Sequence, residues 1–399
     1  MSRRAHSAFG LLAALAVVAM ASSALALPRM TLTAGSRCSN CHVNPQGSGL
    51  RNELGFYAMA QNGAVTWDKI GWQSFHDAAD NQFFGGKVTL GFDQRTQMAK
   101  MGAPHWADDG KSVVSPDRIF FPMQLTPAVS VAIQDWLSAS GSVNLAAIKF
   151  TERQRKPYPG QTLFDAWLHF KPSMTMPTVR VGMLQPTIGI RHDDHTMLLR
   201  RNPLAISQPL IPPYWNELGA EVSYEGQHWI SVEAGAFTAK NLAASDPAAV
   251  KEGDIITSAR VTLWPQELDW HLNSWVGASF LKAGGYTLVG SHLGLGMPYI
   301  GTLQAEAVMT KTAEKREILS WMVHASHPLK DWCVFEARYE KSSGSQTLNG
   351  TLSEATVTSI VAGVQFIPLP NVEIRPEYRV LSTKDWTLGQ WAAQLHLWF

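Results

Sequence analysis

From about residue 85 to the C-terminus, apolar and polar residues alternate with period two, and no convincing run of helical period interrupts them. Val372, Ile374, Pro376, Tyr378 and Val380 fall on one face of a strand, and Glu373, Arg375, Glu377 and Arg379 take the other. Cys333, Phe335, Ala337 and Tyr339 likewise oppose Glu336, Arg338 and Glu340. In the last run Trp391, Ala393, Leu395, Leu397 and Phe399 oppose Gln390, Gln394, His396 and Trp398. An apolar face backed by a charged one suits lipid outside and water inside. A soluble sheet would not keep an apolar face on every strand. The pattern predicts strands at 86–98, 119–134, 136–149, 161–171, 178–190, 218–227, 229–240, 254–265, 268–283, 286–297, 300–311, 315–329, 332–342, 355–368, 372–382 and 386–399. The fold expected is therefore all-β, a membrane barrel of roughly sixteen antiparallel strands.

The connections support this. They are short after even strands, as at Pro265-Gln266-Glu267, Pro298-Tyr299, Lys330-Asp331 and Leu369-Pro370-Asn371. They are long after several odd ones, at 99–118, 150–160, 191–217, 241–253 and 343–354. Outer-membrane barrels have short periplasmic turns and longer outer loops, so both ends of the barrel segment are expected on the periplasmic side. The terminal Phe399 on an alternating strand resembles the assembly signal of such barrels.

The front of the chain is different. Arg3 and Arg4, the apolar stretch Phe9 to Met20 and Ala24-Leu25-Ala26 read as a secretory signal peptide over 1–27. Residues 28–80 form a segment too small to bury a secure core alone. It contains Cys38-Ser39-Asn40-Cys41-His42, a C-x-x-C-H. That spacing is the attachment pattern of one c-type haem, with Cys38 and Cys41 as the covalent sites and His42 as the proximal iron ligand. Zinc would need a second ligand pair, and a thioredoxin-like site would need a βαβ context; neither is evident. Asn44 to Gly49 reads as a turn-rich linker, after which Ser48 would cap a helix from Leu50 to about Gln61, ended by Asn62-Gly63. Leu50, Leu54, Tyr57 and Ala58 would pack on the porphyrin. Met59 and His76 are the candidate sixth ligands, with a five-coordinate iron or a barrel histidine as the alternatives. The remaining 81–399 is the barrel.

Composition narrows the function classes. A net charge of +1 over 399 residues gives no basic field for nucleic acid. Charged residues make up only 16%, Trp numbers 15, and two of the three cysteines lie in the haem motif, so no disulfide framework is expected. His169, His271, His292, His324 and His396 face the lumen by parity, as wall residues. Arg191-His192-Asp193-Asp194-His195 reads as a solvated polar loop, with divalent-ion binding as its alternative.

Signal peptide, one C-x-x-C-H, then a barrel resembles the porin-fused monohaem outer-membrane cytochromes, whose best-known members oxidise ferrous iron. Besides Cys38, Cys41 and His42, the residues Asn52, Gly55 and Gly63 look like the spaced Asn and Gly positions that follow the motif in that family. The turn Asn44 to Gly49 is longer than the family pattern, and Ala58 stands where a bulkier aromatic is expected. The resemblance implies a haem plug in the barrel, passing electrons between extracellular Fe(II) and a periplasmic soluble cytochrome. The same conduit run outward to an external acceptor, and a diffusion porin with a haem-bearing periplasmic tag, are the competing expectations.

Overall fold

The computed structural model describes residues 28–398, apart from 34, 48, 61–62, 72–80, 102–104, 107–112, 115–117, 148–158, 174, 193–196, 213, 228, 265–271, 298, 313–314 and 349. Sixteen long strands make one closed antiparallel barrel. They are β1 (Val88–Met101), β2 (Arg118–Gln134), β3 (Leu137–Val143), β4 (Phe164–Phe170), β5 (Thr178–Leu184), β6 (Glu217–Gln227), β7 (Ile230–Thr238) and β8 (Ile255–Leu263). The second half is β9 (Asn273–Ala283), β10 (Tyr286–Met297), β11 (Gly301–Lys311), β12 (Arg316–Lys330), β13 (Cys333–Leu348), β14 (Thr351–Leu369), β15 (Val372–Ser382) and β16 (Thr387–Trp398). Each pairs with its neighbours in sequence, and β1 closes on β16 from Asp93↔Trp398 to Met101↔Gln390. Closure leaves no sheet edge unpaired in the apolar phase, which is the condition for spanning a bilayer with strands.

The predicted alternation decides the faces. On β13 Phe335 and Tyr339 are exposed while Glu336, Arg338 and Glu340 are buried. On β15 Ile374 and Tyr378 are exposed while Glu373 and Glu377 are buried. On β16 Trp391 and Leu395 point out while His396 and Trp398 point in. The inward charges are paired: Arg375 with Glu336, Arg338 with Glu340, and Arg379 with Glu377.

Sixteen strands form in the expected order, but two end early: 144–147 and 185–190, expected as strand, lie beyond the last residues of β3 and β5, and Ile188 and Ile190 join a buried apolar cluster instead. The rhythm of the connections differs too. Residues 343–354, expected as a long outer loop, are strand: β13 runs to Leu348 and β14 starts at Thr351, with Gly350 at φ 80 in the turn between them. The left-handed backbone suits a tight hairpin that extends both strands. The long connections gather in the first half, at 102–117, 144–163, 185–216 and 239–254.

The 185–216 connection does not stand out in solvent. Ile190 N–H donates to Glu306 Oε1 at 3.1 Å, His192 Nε2 to Glu306 Oε2 at 2.8 Å, and Leu198 N–H to Glu340 Oε2. Its Ile188, Leu199, Ile211 and Trp215 join Leu184, Phe237, Leu242, Tyr286 and Leu288 in a buried cluster inside the barrel. The connection therefore packs an apolar core against the inner wall.

From the short-turn end, the N-terminal residues enter the same lumen. Helix α1 (Pro28–Thr33) lies against β9 and β10. Asn273 Nδ2 donates to Leu32 O at 2.6 Å, Trp275 Nε1 donates to Thr31 Oγ1 at 3.1 Å, and Leu32 is fully buried. Further on, Ala64 and Val65 N–H groups donate to Ile367 and Pro368 carbonyls near the end of β14.

Candidate functional site

The C-x-x-C-H motif forms one helical turn, α2 (Cys38–Cys41), and then extended backbone at His42. Residues three apart on a helical turn share a face, so both thiols leave the same side. His42 N–H donates to Cys38 O at 2.9 Å. The chain then reverses: Val43 N–H donates to Leu50 O at 3.0 Å, and His42 pairs with Arg51 in an antiparallel bridge. A third helix, α3 (Glu53–Ala60), follows. Its start is set by Asn52, whose Oδ1 accepts from Gly55 N–H at 3.0 Å, an N-cap contact. The predicted cap at Ser48 and helix from Leu50 are thus corrected: Leu50 belongs to the reversing turn, and Ser48 lies outside the described residues. Asn52 is the better cap because its amide also donates to Asn40 O at 3.0 Å, tying the helix start to the motif.

The three spaced residues noted after the motif each make a close approach. Asn52 joins α3 to α2 as above. A Cβ at Gly55 would fall 2.8 Å from Cys41 C and 3.0 Å from its Cα, and closer still to its carbonyl oxygen. At Gly63 it would fall 2.9 Å from backbone atoms of Leu369 and Pro370.

The motif is fixed to the wall by polar contacts. Arg37 donates to Glu225 O at 2.9 Å and to Gln227 O, and stacks over Trp264 at 5.7 Å. Ser39 Oγ donates to Glu225 Oε2 at 2.6 Å. Deeper in, Arg180 on β5 donates to Asn44 Oδ1 at 2.6 Å and to Glu221 Oε1 on β6. Glu221 Oε2 accepts from Gln46 Nε2 at 2.9 Å and from Thr187 Oγ1 of the inward connection. The Asn44–Gly49 stretch, read as a linker, is therefore a docking turn where segment, wall and inward loop meet. Arg180 and Glu221, both about 2% exposed, carry no motif; adjacent inward charges on neighbouring strands were the available signal.

All three cysteines are outside disulfides. Burial pushes the Cys38 thiol up to about 11, against the opposing pull of Arg260. Burial also raises Cys41, with Arg51 opposing. Both thiols are neutral at pH 7, and a neutral thiol is a poor nucleophile.

The donor set fits one covalent haem. The two thiols share a face, His42 follows directly, and a Cβ at Gly47 would meet Cys38 Sγ at 3.3 Å, so only a glycine leaves that thiol its space. Leu54 on α3 is 59% exposed, an apolar side chain that an attached porphyrin would cover. Met59 lies on α3, but its side chain and all of His76 are outside the described residues. Among those residues no three His, Cys, Asp or Glu side chains group as a metal site. The lumen histidines are wall residues: His396 bonds Asp93 and Glu373, His292 sits by Thr262 and Trp275, and His169 and His324 lie on inward positions of β4 and β12. His271 is outside the described residues, as are Asp193, Asp194 and His195. His192 is not solvated as expected; it is buried against Glu306 because the loop folds inward.

The chain matches no protein-family profile and no curated protein. Solved structures do match. OprB of Pseudomonas putida aligns with 85% of this chain and 99% of its own at 8% identity, TM-score 0.54. The outer membrane channel DcaP of Acinetobacter baumannii covers 78% and 97% at 10% identity, TM-score 0.52. The fold is that of the outer-membrane porins. An anion-selective porin from Comamonas acidovorans also aligns over 78% and 99%, at 12% identity and TM-score 0.51. With its apolar exterior and closed wall, this barrel belongs in the outer membrane of a Gram-negative bacterium.

Proposed function

We propose that the protein is a monohaem outer-membrane electron conduit, which takes electrons from an extracellular donor, Fe(II), and delivers them to a soluble periplasmic cytochrome. The observation that supports this reading is the set of contacts from the C-x-x-C-H region to the wall, Arg37 and Ser39 to the 225–227 end of β6 and Asn44 and Gln46 to Arg180 and Glu221. Cys38 and Cys41 would hold the haem and His42 would ligate its iron. When bound, the haem supplies a one-electron couple, which suits a one-electron donor. The polar clasp of Arg180, Glu221, Asn44 and Gln46 keeps the segment seated. The inward connection packs against the inner wall, which would narrow the lumen and so favour passage of electrons over passage of solutes. Short turns face the periplasm in outer-membrane barrels, so the motif would lie within reach of a periplasmic carrier.

The test is anaerobic mixing of the oxidised protein in detergent with Fe(II), followed by the Soret and α bands. Reduction that His42→Ala abolishes while the barrel persists supports the reading. Unchanged bands, with ready reduction by a periplasmic donor, would reverse the direction to an external acceptor. The porin relatives favour a second reading, a diffusion channel with a haem-bearing tag. Steady ionic conductance of the full chain in a planar bilayer would select it.

A further inference from the structure

The last strand reaches the haem motif. Trp398 on β16 is turned into the lumen and is 4% exposed. One face of its ring carries the Arg51 guanidinium, 5.2 Å from the ring centroid. Its other neighbour is His396, with ring centroids 4.7 Å apart and tilted by 45°. His396 is itself held at both nitrogens, by Asp93 Oδ1 of β1 at 3.0 Å and Glu373 Oε2 of β15 at 3.2 Å. Among the described residues the indole N–H of Trp398 has no hydrogen-bond partner, and the ring face carries the contact with Arg51. Arg51 is the bridge partner of His42, and its carbonyl accepts from Asn81 Nδ2 at 3.1 Å.

We infer that Trp398 is the positioning residue of the proximal histidine: held by His396 across the seam of the barrel, it clamps Arg51 by its ring face and so fixes the two-stranded bridge that presents His42. A cation over a buried indole is among the stronger forms of this contact. The arrangement ties the first strand, the last two strands and the haem segment into one unit. With haem bound, the Arg51 guanidinium would add positive charge near the segment that presents His42, which would disfavour the oxidised iron. This role rests on the monohaem reading; the clamp itself does not.

The test uses full-length, haem-loaded protein in detergent, with the variants Arg51→Met, Trp398→Ala and Trp398→Phe. Two quantities are read: tryptic cleavage after Arg37 in the folded barrel, and the haem midpoint potential. Arg51→Met and Trp398→Ala should speed cleavage on the order of tenfold and lower the potential. Trp398→Phe, which keeps a ring face, should resemble wild type in both. Arg51→Met leaves every strand untouched, so it decides the matter if Trp398→Ala fails to assemble. Wild-type cleavage and potential in Arg51→Met would overturn the inference, as would a change in only one of the two. A wild-type chain without covalent haem would overturn the monohaem reading instead, and the cleavage rates would still decide the clamp.

Discussion

Gly55→Ala separates the packing of the haem segment from helix propensity, because the two predict opposite signs. Gly55 lies in the first turn of α3. Replacing a helical glycine by alanine ordinarily stabilises by about 1 kcal/mol. Here the new methyl would fall 2.8 Å from Cys41 C, 3.0 Å from Cys41 Cα and nearer still to Cys41 O. These are backbone atoms of the motif turn, fixed by the His42 and Asn52 amides, so no side chain can swing aside. The helix must move off α2 by roughly an ångström, and overpacking of this kind costs about 1–3 kcal/mol. A displaced helix start also loses the Asn52 cap, worth about 1 kcal/mol. The sum is a net loss of about 1–3 kcal/mol, which corresponds to about a 5- to 160-fold rise in opening of the segment. Native-state proteolysis of the segment, with the barrel monitored by its heat-modifiable gel mobility, measures that opening. A variant as resistant as wild type, or more so, would refute the proposed contact between α3 and the motif.

Three further outcomes follow. Glu221→Ala strips a buried partner from Arg180 and frees Gln46 and Thr187; breaking a buried pair costs about 3–5 kcal/mol, so single-channel recordings should show openings that wild type lacks. In haem-free protein the half-buried Cys38 should label with maleimide only slowly at pH 7.5 and faster as pH rises toward 11, because desolvation holds the thiol protonated at neutral pH; rapid labelling at neutral pH would contradict that. Haem should remain on the wild-type chain through denaturing electrophoresis and be weakened or lost in Cys38→Ala.

The strands were legible because the wall has two solvents. Lipid demands an apolar outward side at every second residue, and paired charges could line the other, so β13, β15 and β16 declared themselves. The hairpin between β13 and β14 was missed because Ser343, Ser345 and Thr347 look like loop chemistry; small hydroxylated residues also suit strands that run beyond the membrane. The inward connection was hidden for a different reason. Leu198, Leu199, Ile211 and Trp215 have no period of their own, and only the tertiary placement of their partners on β7, β10 and β13 gives them a core. At the site, the C-x-x-C-H turn and the spaced Asn52, Gly55 and Gly63 were readable, but the helix start was placed too early. Arg180, Glu221, Gln46 and Trp398 were not readable as site residues, since each is ordinary alone and meaningful only through a contact across 140 or more positions of chain in at least one case, such as Gln46 to Glu221.

The apolar core packed against the inner wall gives this barrel two apolar surfaces that answer to different media. On β10, Leu288 faces the packed loop while Val289 faces outward, so one strand is a boundary between a lipid phase and a protein phase. Detergent exchange acts on the second surface and leaves the first alone. Urea, entering by water, acts on the first. Amide exchange should therefore report two separable transitions: the 185–216 connection and its neighbours would melt as a subglobal unit in mild urea, while the hydrogen-bonded wall would survive until the micelle itself gives way.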